Sequence, residues 1–247
     1  MRTGLSRVCK TKLLLVLTVI TVGICAFTIA FQAFDVYGLA LLSSVSVREG
    51  KAERFNKMNS KTPHGGIVFF GDSLTEMYDL QRYYDAEGLV NRGISGDTTD
   101  HMAARLYDNA LALEPKTLVM LGGANDLRGG SDPERIIAYL RNMFDTIRQC
   151  APDTRVIVQS LYPINAQPEI FMAKKLLAFA DNDKIVRVNA LLRPLCDEYG
   201  FDYVDMHAML RDSDGNLRRE FTLDGLHLNP DGYRVVTRKL MPYVLPE

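Results

Sequence analysis

Residues 67–75 read IVFFGDSLT: four apolar residues, Ile67 to Phe70, run straight into Gly71, Asp72 and Ser73. A short, unbroken apolar run has the form of a strand buried on both faces, and such strands belong to parallel sheets covered by helices. The pattern returns along the chain. Leu89–Asn91 precedes RGISGDTT, Thr117–Leu121 ends in GGAND, Arg155–Ser160 ends in LYPIN, and Phe201–Val204 precedes DMH. Between these runs, Thr99–Leu113, Pro133–Gln149, Glu169–Ala180 and Lys184–Tyr199 carry helical spacing, and Pro230–Leu240 supplies a closing helix. Asp132 before Pro133 and Asn229 before Pro230 are the expected helix caps. Strands alternating with helices predict an α/β domain with a five-stranded parallel sheet covered on both faces.

In such sheets ligands bind where loops gather at the carboxyl ends of the strands. Three of the four most polar, Gly-rich turns of this chain fall at those ends. The Gly71–Asp72–Ser73 turn can raise the Ser73 hydroxyl above the sheet, beside the N–H groups of a helix start. The loop 91–98 (NRGISGDT) offers a glycine amide that can approach a ligand closely, and Asn125 adds a side-chain amide after two glycines. Asp224 stands three residues before His227, where a carboxylate can bond an imidazole, fix its tautomer and steady its charged form. Each turn alone reads as an ordinary surface turn. Together they hold a nucleophile, oxyanion donors, a base and an orienting acid, the parts needed for acyl transfer through a covalent serine intermediate.

This combination resembles the SGNH hydrolase family, the GDSL esterases and lipases, over about residues 66–240. The likeness rests on GDSLT, NRGISGDTT, GGAND and DGLHLNPDGY, and is greatest to the acetylhydrolase-like branch. It implies a three-layer α/β/α sandwich of flavodoxin-like type, with Ser73 as nucleophile and His227 and Asp224 completing the triad. The same resemblance assigns the oxyanion hole to the Ser73 N–H, the Gly96 N–H and the Asn125 side chain. It implies no cofactor, and a short acyl group, such as acetyl, removed from a glycan or lipid. An O-acyltransferase with the same triad, a lysophospholipase or a thioesterase are the alternatives within this chemistry; a binding module without catalysis lies outside it.

The other polar residues receive plainer readings. Asp72, Asp97 and Asp126 are turn formers and supports. His64 and His101 are structural, and His207, after the fifth strand, is a candidate for the pocket wall. No histidines have HxH or HExxH spacing, so no metal site is expected. Residues 212–216 (DSDGN) fail as a calcium loop because Leu217 and Leu223 replace the required glycine and glutamate. Cys150 and Cys196, each before a strand, are read as buried thiols; whether they pair is left open.

The front of the chain differs. Leu13–Phe34 is an uncharged stretch of 22 residues, and Arg2, Arg7, Lys10 and Lys12 precede it without an acid. As a helix it would extend roughly 33 Å, enough to cross a hydrocarbon core of about 30 Å. Residues 1–12 are accordingly expected in the cytoplasm, 13–34 as a transmembrane signal anchor, 35–61 as a juxtamembrane linker, and 62–247 as the hydrolase domain on the extracytoplasmic side. Secretion after signal cleavage is the alternative. With 29 Lys and Arg against 30 Asp and Glu, nothing in the bulk charge favours nucleic acid as a partner. The oligomeric state is not legible.

Overall fold

A computed structural model describes residues 46–165 and 181–245. The expected membrane anchor and the helix expected at Glu169–Ala180 lie outside the described residues. Among the described residues, no helix is long and apolar enough to cross a membrane.

Five strands, β1 (Ile67–Gly71), β2 (Leu89–Gly93), β3 (Thr117–Leu121), β4 (Arg155–Gln159) and β5 (Asp202–Val204), form one sheet in the order β2-β1-β3-β4-β5. Every neighbouring pair is parallel, with Ile67 level with both Leu89 and Thr117. The helices are α1 (residues 46–58), α2 (Ser73–Glu76), α3 (Leu80–Tyr83), α4 (Thr99–Asn109), α5 (Ala124–Arg128), α6 (Pro133–Cys150), α7 (Asn182–Tyr199), α8 (His207–Leu210) and α9 (Pro230–Val244).

The two faces of the strands explain the layers. Alternate residues of a strand point to opposite sides. Val68 and Phe70 of β1 therefore join Leu118, Met120, Val156 and Val158 in a core completed by Met102, Leu106, Leu140, Phe144 and Val188. Phe69 turns the other way and meets Val119, Ile157, Tyr78, Tyr233, Val236 and Leu240. Helices cover both faces, so the expected three-layer arrangement is present.

Three expectations change. The helix expected over Thr99–Leu113 ends at Asn109 and continues as a 3-10 turn, Leu111–Leu113, closed by Glu114 at φ 50°. Asp132 makes no side-chain cap, so entry to α6 rests on the fixed φ of Pro133; Asn229 does cap α9, accepting from Asp231 N and Gly232 N. Cys196 is buried, and burial pushes its thiol up to about 12, whereas Cys150 at the end of α6 is exposed; both are free.

The compact unit spans Arg48–Glu247, so residues 48–61, expected to be part of the linker, belong to the domain. Asn109 Nδ2 donates to the Ala52 carbonyl at 3.1 Å, Arg92 Nη2 donates to Asn59 Oδ1 at 2.9 Å, and the Arg92 guanidinium lies 4.6 Å from the Phe55 ring centre. These contacts are polar or cation–π, which is why apolar periodicity gave no sign of them.

Close approach of α2 to β2 requires glycine at position 93, where a Cβ would stand 2.1 Å from the backbone nitrogen of Glu76. Gly93→Ala is expected to lower the stability by about 1–3 kcal/mol through overpacking. Gly50→Ala, at an open position of α1, is expected to raise it by up to about 1 kcal/mol. Thermal melting of the two variants checks both signs.

Candidate active site

The ends of β1, β2 and β3 and the loop before α9 meet at one rim. Ser73 is the first residue of α2, and Asp72 ahead of it caps that helix by accepting from Leu74 N at 2.9 Å. Asn91 closes the other end of α2: its side chain donates to the carbonyls of Thr75 and Tyr78 and accepts from Gly93 N. The serine turn is thus fixed from below and behind.

His227 comes from the loop before α9. Its Nε2 lies 2.9 Å from Ser73 Oγ, and its Nδ1 lies 2.6 Å from Asp224 Oδ2. Asp224 Oδ1 accepts from the amides of Leu226 (2.9 Å) and His227 (2.8 Å). Burial alone would raise the Asp224 carboxyl. The bonds from the His227 ring and these two amides outweigh it and hold the acid well below the usual carboxylate range. An ionised Asp224 on Nδ1 leaves Nε2 free to accept a proton from Ser73.

Gly96 and Asn125 are linked through the backbone of Asp97. Gly96 adopts φ 83°, a conformation that favours glycine whatever the space. Neither its N–H nor that of Ser73 has a hydrogen-bond partner among the described residues. Asn125 Nδ2 donates one hydrogen to the Asp97 carbonyl at 2.9 Å, leaving its second for a ligand.

Asp97 and Asp126 do not touch Ser73 or His227. Asp126 accepts from the amide (2.9 Å) and hydroxyl (2.6 Å) of Thr99 and so starts α4. Asp97 accepts from Arg105 Nε at 2.6 Å. Arg105 is a residue the sequence reading did not single out. It is buried, donates to the carbonyls of Gly71 and Arg92 (2.9 Å each), and lies over Phe70. A lone arginine within a helical pattern reads as solvated, so no sequence signal marked it.

Among the remaining histidines, His64 is exposed, and His101 Nδ1 lies 2.7 Å from the Thr98 hydroxyl in the first turn of α4. His207 lines a separate cavity of about 210 Å³ with Arg193, Tyr203 and Asp205. Residues 212–216 form a turn in which Asp212 Oδ1 accepts from the amides of Asp214 and Asn216.

A model of the GDSL-like Lipase/Acylhydrolase family matches residues 69–235. The chain belongs to that family. It is an enzyme of ester bonds. Curated relatives include platelet-activating factor acetylhydrolase IB subunit alpha1 of Bos taurus, 28% identical over 193 residues that cover 76% of this chain and 78% of the relative. A solved Streptococcus pneumonia protein, named for platelet activating factor, matches with a TM-score of 0.77 and 25% identity, covering 83% of this chain and 96% of its own. An acetyl xylan esterase, AlAXEase, shares the fold at 20% identity, with a TM-score of 0.59 over 73% of this chain and all of its own.

Asp72 gives the site a pH signature. Burial pushes its carboxyl up to about 7, against the bond from Leu74 and the attraction of His227. A raised carboxyl stabilises the fold fully below the unfolded value, near pH 4, and loses that contribution as pH rises through about 7. Asp72→Asn keeps the acceptor and removes the titration. Its melting temperature relative to the parent chain is therefore expected to be higher at pH 8 than at pH 5; an equal difference at both would contradict the assignment.

Proposed function

We propose that this enzyme is a membrane-anchored serine ester hydrolase that removes short acyl groups, acetyl above all, from a glycan or lipid. The observation that carries the reading is the unbroken line from Ser73 Oγ through His227 to Asp224, at 2.9 and 2.6 Å. His227 takes the Ser73 proton as the oxygen attacks the ester carbonyl. The Ser73 N–H, the Gly96 N–H and Asn125 Nδ2 then bind the oxyanion, where each donor is worth roughly 3–4 kcal/mol. His227 protonates the leaving alcohol, and water repeats the sequence on the acyl-enzyme.

Two further features support the finer reading. The relatives named as platelet-activating factor acetylhydrolases favour an acetyl ester. The 22 uncharged residues Leu13–Phe34, behind a basic flank, favour an uncleaved anchor that holds the domain on the extracytoplasmic side of a membrane. That position brings envelope glycans and lipids within reach.

The full chain in detergent is expected to hydrolyse p-nitrophenyl acetate, with Ser73→Ala slower by at least about 10³-fold. Equal rates would end the catalytic reading. Acetyl transfer to an added alcohol in excess of free acetate would replace hydrolase by transferase.

A further inference from the structure

The loop that carries Gly96 is held from outside by α1. On one side of Gly96, the Ser95 N–H donates to Glu76 Oε2 at 2.5 Å, and the Lys51 ammonium holds Glu76 Oε1. On the other side, Asp97 gives Oδ2 to Arg105. Its Oδ1 is buried, accepts no hydrogen bond among the described residues, and faces Arg48 Nε at 3.9 Å. Both neighbours of Gly96 are therefore tied to a carboxylate that a cation of α1 addresses. A cavity of about 250 Å³ beside Asp97 is lined by Arg48, Ala52, His101, Ala104 and Arg105.

We propose that α1 is a positioning element of the oxyanion hole, with Lys51 acting through Glu76 and the Ser95 amide to aim the Gly96 N–H. The proposal rests on the esterase reading above. An amide stabilises an oxyanion only along the direction in which it points, so a loop released by a fraction of an ångström loses transition-state binding while still admitting the ester. Glu76 is suited to the part. Partial burial would raise its carboxyl, but the bonds from Lys51 and Ser95 outweigh this and keep it below its ordinary range, and so charged at neutral pH. Lys51 and Glu76 are both partly exposed, and such a pair adds little to folding. Its loss belongs in kcat rather than in the melting temperature.

Lys57 supplies the control. It lies on the same helix, paired with Glu53, and both side chains are largely exposed. The test measures kcat, KM and melting temperature for the full chain with p-nitrophenyl acetate, comparing Lys51→Met, Lys51→Arg, Lys57→Met and Ser73→Ala. Lys51→Met is expected to lower kcat about tenfold with KM within about twofold and melting unchanged, and Lys51→Arg to recover most of the rate. Lys57→Met is expected to match the parent. A parental kcat in Lys51→Met, or a fall matched by Lys57→Met or by lost melting temperature, overturns the proposal while leaving the esterase reading intact. A parent no faster than Ser73→Ala overturns both.

Discussion

One buried guanidinium sets the spacing of the catalytic rim. Arg105 donates to the last carbonyl of β1 at Gly71, to the carbonyl of Arg92 near the end of β2, and to the Asp97 carboxylate in the loop beyond. Gly71 is two residues before Ser73, and Asp97 directly follows Gly96. The turn that carries Ser73 and the loop that carries Gly96 are thus referred to the same cation. A buried charge without its partner is costly, so a displaced loop would strand the Arg105 guanidinium or the Asp97 carboxylate away from water. Burial raises the Asp97 carboxyl, against the pull of Arg105.

A second constraint brings in the histidine, 154 residues from Ser73 along the chain. The helix behind His227 is stapled to the helix that begins with Ser73. Tyr233 of α9 donates its hydroxyl to the Leu74 carbonyl at 2.9 Å and stacks on Tyr78 with ring centres 4.9 Å apart. Tyr78 in turn shares a 2.6 Å bond with Thr237. The approach of His227 to Ser73 therefore follows from aromatic packing on one face of the sheet, while the Gly96 loop depends on the charged cluster of Arg105 and Asp97.

Much of this was legible in the sequence, for a physical reason. Parallel strands buried on both faces must be apolar runs, so β1, β3 and β4 announce themselves; β2 and β5, whose flanks are polar, show through only as short fragments. Ser73, Gly96, Asn125, Asp224 and His227 stand in turns or at the first residues of short helices, where glycine and polar side chains are conspicuous against apolar strands. The supports were hidden. Arg105, Arg92 and Lys51 look like solvated surface residues in any local window, because their partners lie elsewhere in the chain: carbonyls and a carboxylate for Arg105, the Asn59 side chain and the Phe55 ring for Arg92, and Glu76 for Lys51. For the same reason residues 48–61, rich in charge, read as a tether although they are packed on the domain.

The proposed catalysis runs through a single nucleophile activated by a single imidazole. The most direct measurement is labelling of the full chain with a fluorophosphonate, followed by mapping of the modified residue. Modification at Ser73 that is lost in His227→Ala is the predicted result. Label on another side chain, or equal labelling of Ser73 without His227, would contradict the account.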